Sequence, residues 1–487
     1  MPNKTSKDKL TNDRLLRWFQ LNADVEVQAC TLQNGEDSFE ALLLFSPGMI
    51  DNAALNRLLT IHDEDASVTA LPLLPLMQPV EITEQGEEKE ALIADLVFSG
   101  QAILFVEQRQ LLYRMDLACL PKRSPDETNT EASIRGPRDG FVEDIGVNAA
   151  LVRRRMRSTS LCMEQFELGQ RSHTRVTLLY IKDIANPELV HEARERIRDI
   201  KIDALISGAQ LEELISDRPY SMFPLLDYSG RPDFVVDCLV RGRIALLVDG
   251  SANAIIAPAN FSLLLKSSED AHAPYVFVAF ERIARLFGLL VSIFLIGFWV
   301  ALLNYHQEQF PLSLLSTVIV SRQGVPMSVP TEAFMILALF EILREAGARL
   351  PKAIGQTLAV VGGLIIGESA IRAGLTSPAL VVIAAISTLS TFILVNQSLS
   401  GAVALLRIFV LAGASLMGMY GFLGSLFLIL LYLANLRSFG MPYLAPISPL
   451  SFKGLLTAML RLPWKKMNQR SRLLKPIDNT RQGERSE

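Results

Sequence analysis

Cysteine is scarce in this chain of 487 residues. There are four, Cys30, Cys119, Cys162 and Cys238, with no Cys-x-x-Cys pair and no zinc-ligand spacing. A disulfide-stapled secreted domain is excluded, and buried free thiols in a reducing compartment are expected. The five histidines are scattered. No phosphate-binding loop, nucleophile elbow, His-Glu-x-x-His helix or dinucleotide fingerprint occurs, and the carboxylates are too dispersed for a glycosidase pair. The residues point to no enzyme, metal or cofactor. Charge is sparse as well: 20% of residues are charged, 50% are hydrophobic and the mean hydropathy is +0.28. A soluble domain carries about a quarter charged residues.

The charge that is present is divided. Residues 1–285 hold 31 basic and 43 acidic side chains, and residues 286–487 hold 16 and 8. This excludes a uniformly basic nucleic-acid binder. It sets an acidic, water-facing head before an apolar unit with a basic end. The opening MPNKTSKDKLTNDRLLRWF has no apolar run of secretory length and no small-residue cleavage site, so the head is expected to stay in the cytoplasm.

In the head, 41–45 reads as a buried strand and 51–61 as a helix. Two strands around a Gly100 turn, 95–98 and 102–106, and a third at 111–115 come next. Beyond a polar, Pro-bearing stretch, 175–181 reads as a strand, and Ala185-Asn186-Pro187 opens a helix to about residue 200. Residues 237–240 and 244–248 read as a second hairpin around Gly242. The hairpins correspond at an offset of 142 residues and the strands 41–45 and 177–181 at 136. The head therefore reads as two diverged copies of one α/β unit, unless any hairpin with a glycine turn would match as well. Between the copies, Val142, Ile145, Ala149, Val152 and Met156 recur at helical spacing. Arg153, Arg154, Arg155 and Arg157 crowd the last turn of that helix, where positive charge complements the macrodipole. They either dock an acidic partner or lipid phosphates, or simply form a solvated helix end or pair within the acidic head.

Residues 286–305 carry no charge over a length that crosses a bilayer core of about 30 Å. Arg282 and Arg285 before them set a cytoplasmic start. Further candidate spans lie at 331–346, 353–371, 378–395, 402–417 and 420–436. The last two form one apolar stretch, about 52 Å as a single helix and too long to cross once; Gly418, Gly421 and Gly424 allow a break. Six spans return the basic C-terminus to the cytoplasm, and four suffice if two shorter segments are re-entrant. Residues 311–320 are expected at the interface or lining a cavity. The fold class expected is an α/β cytoplasmic head of two similar α/β subdomains, followed by an α-helical multi-pass transmembrane bundle. The subdomains are 1–125, with a polar leader, and 141–280, joined by a linker at 126–140. The transmembrane domain is 281–440, with four to six spans, and a basic cytoplasmic tail occupies 441–487.

Charges inside the apolar unit are few and costly, so each is a candidate site. Glu332, Glu341, Glu345 and Glu368 are ion-path candidates. Arg344 and Arg372, one helical turn from Glu341 and Glu368, and Arg407 in the fifth span are salt-bridge or partner-contact candidates, as are the four head arginines. The plainer alternative is an internal salt bridge or an interfacial position. Gly355, Gly362, Gly363 and Gly367 permit close helix approach and suit an oligomer.

The strings GPRDGFVEDIGVNAALVRRRMRS, YIKDIANPELV, LVDGSANAIIAP, YHQEQFPLSLLSTVIVSRQGVP, FEILREAGARLPKAIGQTLAVVGGLIIG and LRSFGMPYLAP resemble the A subunits of bacterial spore germinant receptors, the GerA family. The resemblance runs from about residue 135 to 446; the first 120 residues match only in general character. It implies a multi-pass protein of the spore inner membrane, in contact with membrane lipid, with head and C-terminus on the cytoplasmic side. It implies a permease-like B subunit that recognises the nutrient, a lipoprotein C subunit, and assembly as a homo-oligomeric, nutrient-gated ion channel. Family members commonly carry Glu where Leu337 stands, Gln at Glu368 and Pro at Val395. A carboxylate-ring path therefore loses one member here or moves it to Glu368. In the mechanism expected, 331–346 lines a pathway, Glu332 and Glu341 attract cations, and the head scaffolds subunit contacts. The alternatives are a secondary transporter that binds the nutrient itself and a non-conducting scaffold. No internal repeat or matched pair of broken helices favours the transporter.

Overall fold

The computed structural model describes residues 10–34, 37–60, 70–72, 77–80, 87–119, 135–349, 367–448, 450, 454, 460–461, 463 and 467–481. They fall into two compact units. One comprises Met1–Pro219, Leu226–Pro258 and Pro463–Glu487, and the other Tyr220–Leu225 and Ala259–Leu462.

The first unit is the α/β head. Its helices are α1 (Asn12–Phe19), α2 (Asn52–Thr60), α3 (Glu87–Phe98), α4 (Ile145–Arg155), α5 (Pro187–Arg198), α6 (Gly208–Ile215) and α7 (Pro232–Val240). One sheet holds β1 (Glu26–Asn34), β2 (Asp37–Phe45), β3 (Ala70–Pro72), β4 (Gln78–Val80), β5 (Gln101–Val106) and β6 (Leu111–Asp116), in the order β3-β1-β2-β5-β6-β4. The other holds β7 (Leu161–Leu168), β8 (Thr174–Ile181), β9 (Asp227–Ser229), β10 (Ile244–Val248) and β11 (Ala254–Ala257), in the order β7-β8-β10-β11-β9. With β3 set aside, the two orders correspond strand for strand, and every corresponding neighbour is antiparallel. The offset of 142 lands Gly100 on Gly242, while the offset of 136 matches β2 with β8 but misses the observed register by one residue: Leu43 pairs with Leu104 and Leu178 with Leu246, an offset of 135.

Residues 95–98 and 237–240 are not strands, however. They end α3 and α7, and each glycine joins a helix to a strand with φ of +89° and +91°. In α3 the buried Ile93, Ala94, Val97 and Phe98 repeat at helical spacing, a period hidden when only the apolar last turn is read. A side chain at Gly100 would meet the Met49 carbonyl at 2.7 Å, so the corner needs glycine for space as well as for φ. The apolar runs of β2 and β5 follow from burial on both faces. Leu43, Phe45 and Leu104 enter one core, and Leu42, Leu44, Ile103 and Phe105 the other.

The expected tail at 441–487 divides between the two units. Residues 467–481 lie on the second half of the head: the guanidinium of Arg470 donates to the Val240 carbonyl at 2.9 Å, the Ile477 N–H to the Ile184 carbonyl at 3.0 Å, and Arg481 to Asp237 at 3.2 Å.

The second unit is helical: α8 (Phe261–Leu264), α9 (Tyr275–Tyr305), α10 (Leu312–Ser321), α11 (Val329–Arg349), α12 (Pro378–Leu389) and α13 (Gln397–Asn435). Among the described residues two helices, α9 and 398–435, are long and apolar enough to cross a membrane, while α10 and Pro378–Ile393 are apolar but shorter. Helix α11 covers the expected span 331–346 but carries five charges. Most of the expected span 353–371, with Gly355, Gly362 and Gly363, lies outside the described residues.

Helix α13 breaks at Gly418, where φ is 60° and ψ −133°, and its arms fold back on each other. A Cβ at Gly421 would sit 1.9 Å from the Gly413 carbonyl oxygen, and Val403, Leu406 and Val410 share a core with Ile429 and Leu433. The arms are roughly 31 and 25 Å long. The Tyr305 hydroxyl donates to the Ser415 carbonyl at 2.8 Å, one of those the break leaves without a helical partner. Its ring lies 2.7 Å from where a side chain at Gly418 would begin. Gly418→Ala is expected to cost about 1–3 kcal/mol, read as a lower thermal midpoint of the solubilised chain. An unchanged midpoint would show that neither the ring nor the dihedral holds the break.

Candidate functional site

Charged groups inside an apolar helical unit are costly enough that each needs an explanation. Glu332, in the first turn of α11, is 0% exposed. Its Oε1 lies 2.9 Å from the Arg322 guanidinium. Its Oε2 accepts from the Ser377 backbone N–H at 2.9 Å and hydroxyl at 3.1 Å, and from the Thr376 hydroxyl at 3.4 Å. Ser377 opens α12, so the carboxylate sits at the positive end of that helix. The sequence reading did not single out Arg322, which ends α10 and meets Glu332 only through the turn between two helices.

The other acidic candidates lie apart from this cluster. Glu341 pairs with Arg344 one turn along α11, both partly exposed. Glu368 pairs with Arg372 at 2.6 Å, both largely exposed, and Glu345 is exposed. Arg407 is different. It is 5% exposed, and its guanidinium donates to the Ser292 carbonyl at 2.9 Å and to the hydroxyls of Thr388 and Thr391 at 3.2 and 2.7 Å. All three acceptors are neutral.

At the start of α9, Arg282 and Arg285 are buried and share the buried Asp270, at 2.8 and 2.9 Å. Arg285 also lies 3.1 Å from Glu281. Read from sequence as topology signals, these arginines belong to a buried ionic cluster whose anion, Asp270, had no local signature.

The head arginines pair within the head. Arg153, 0% exposed, grips both oxygens of Asp24 at 2.7 Å, donates to the Ser158 carbonyl at 2.8 Å and stacks 4.1 Å over Phe98. Arg154 and Arg155 share Asp139 at 2.8 and 2.6 Å. Burial pushes the Asp139 carboxyl up, but the Arg155 hydrogen bond and the two guanidinium charges hold it below the usual range. Arg157 lies 3.6 Å from Asp95 on the surface.

Burial pushes the Cys30 thiol up to about 11 and Cys238 up to about 12, so neither is a ready nucleophile. Among the described residues no group of three or more metal-ligating side chains exists. Glu212 on α6 titrates abnormally: burial raises it from the ordinary 4.5 to about 7. Because the unfolded chain ionises first, the head loses stability as pH rises through 4.5 to 7. Glu212→Gln is expected to stabilise the chain by roughly 1–3 kcal/mol at pH 8 and by nothing at pH 4. Thermal midpoints at the two pH values test this, and an equal gain at both would contradict it.

Similarity to known proteins extends over nearly the whole chain. The family described as Bacillus/Clostridium GerA spore germination protein matches residues 13–473. Spore germination protein XA of Bacillus anthracis is 42% identical over 481 residues, 97% of this chain and 97% of that protein. Spore germination protein KA of Bacillus subtilis (strain 168) is 31% identical over 453 residues, 92% of this chain and 83% of that protein. Among solved structures, the N-terminal domain of the A subunit of the Bacillus megaterium spore germinant receptor GerK3 is 25% identical. It covers 52% of this chain and 96% of that chain, with a TM-score of 0.36.

Proposed function

The chain belongs to the GerA family of spore germination receptor A subunits, and from that premise we propose that it is the conducting subunit of a nutrient-gated channel. As a germinant receptor subunit it acts in germination and is not an enzyme. In the proposal it is a multi-pass protein of the spore inner membrane, with head and C-terminus on the cytoplasmic side. It assembles as a homo-oligomer with a permease-like B subunit and a lipoprotein C subunit. The observation that carries the reading is the buried Glu332–Arg322 pair against the N-terminus of α12. A fully buried carboxylate joining three helical segments is a discrete contact that can be made or broken, as a gate requires. In this arrangement both carboxylate oxygens are engaged within the protein. Glu332 therefore acts as a latch on the pathway, while the half-exposed Glu341 is the carboxylate placed to meet an ion.

The test is potassium and sodium flux from liposomes holding the chain with its cognate B and C subunits, challenged with amino acids and sugars. Nutrient-triggered flux that requires this chain is expected. Glu332→Gln is expected to raise flux without nutrient, and Glu341→Gln to weaken cation preference. Flux that needs only the B subunit would make the chain a scaffold, and nutrient binding by the isolated chain would make it a transporter.

A further inference from the structure

Arg407 lies inside the helical unit with 5% exposure, yet among the described residues every oxygen it reaches is neutral: one backbone carbonyl and two threonine hydroxyls. Holding a guanidinium away from water without an anion costs several kcal/mol. Leu337 of α11 shares a core with Leu411 of α13, one helical turn from Glu341 and Arg407 on their helices, and in this conformation Glu341 is paired with Arg344. Glu341 is 45% exposed and Arg344 31%, so their bond is the kind that contributes about 0–1 kcal/mol and exchanges readily.

We propose that Glu341 is an exchangeable counter-ion, held by Arg344 on its own helix in this conformation and taken up by Arg407 on α13 in another. The two pairings are two states of the α11–α13 contact. In one, Glu341 faces outward beside Arg344 and Arg407 is held by hydroxyls. In the other, the carboxylate neutralises the buried guanidinium and draws α11 against α13. Anything that binds the second state better than the first shifts the balance by that difference in affinity alone. The inference deepens the gating reading above and rests on it. Its readout is a distance within one chain, so loss of flux and loss of the exchange are seen separately.

The experiment uses the full chain in lipid nanodiscs with spin labels at Ile342 and Ile408, which are 66% and 47% exposed. Arg407 is left in place, because its removal risks unfolding. Arg344→Gln takes away the first partner and is expected to shorten the 342–408 distance by roughly 2 Å, the scale of helix shifts at packed interfaces. Adding Glu341→Gln is expected to restore the original distance. A distance unchanged by Arg344→Gln overturns the proposal, as does a shortening that persists without the Glu341 carboxylate. A distance that ignores Arg344→Gln but responds to replacing chloride by gluconate also overturns it, by assigning the counter-ion to solvent.

Discussion

Arg153→Met is expected to destabilise the head by about 3–5 kcal/mol, the loss that follows when one partner of a buried ion pair is removed. Asp24, 11% exposed on its side chain, is left without the two 2.7 Å bonds that now neutralise it. The Phe98 ring loses a stacked cation at 4.1 Å. Asp24 precedes β1 and Phe98 ends α3, both in the first half of the head, whereas Arg153 ends α4 and leads into the second. The residue therefore rivets the two halves of the head beside the bridge between Asn22 and Met163 of β7. Chemical unfolding of the full chain reads the loss, with Arg157→Met as control. That surface pair at 3.6 Å contributes about 0–1 kcal/mol. Equal effects of the two changes would remove the rivet. The combined Asp24→Leu and Arg153→Met change is expected to recover much of the stability, because no charge then stays buried alone.

Asp270→Asn has a comparable expected cost of about 3–5 kcal/mol. Arg282 and Arg285, 6% and 7% exposed, would face each other across a neutral amide. Glu281 stays 3.1 Å from Arg285. Arg461 donates to the Ala273 carbonyl at 2.6 Å and to the Ala271 carbonyl at 3.3 Å, so loosening of the Asp270 turn reaches a third guanidinium. The measurement is the thermal midpoint of the solubilised chain. Asp270→Glu, which keeps the charge, is expected to lose much less; a similar loss for both would mean that shape rather than charge holds the cluster.

The sequence made some of this legible and hid the rest for identifiable reasons. The shared strand order of the two head halves could be read because matching glycines sit at corners that demand positive φ. The strand-for-helix error at 95–98 and 237–240 arose because a buried last turn has no visible period. In the helical unit the break at Gly418 was legible from length, since no single crossing accommodates the whole apolar stretch. Ion-pair partners were legible only where they lie on one helix, as Glu341–Arg344 and Glu368–Arg372 do. Asp24–Arg153, Arg322–Glu332 and Asp270–Arg282 join different elements, and no spacing rule predicts such pairs. The setting of Arg407 among neutral oxygens of the described residues was invisible for the same reason: it is defined by what packs around it.

The C-terminal segment has one consequence that is a matter of parity. Residues 467–481 hydrogen-bond to the second half of the head at Ile184, Asp237 and Val240, so with the head on one side of the membrane, as proposed, the chain must return to that side after the helical unit. Crossings between Ala259 and Leu462 then come only in even numbers. In the proposed multi-pass arrangement the two arms that meet at Gly418 count as one pair, and each remaining crossing needs a mate. A three- or five-pass arrangement would tear the segment from the head.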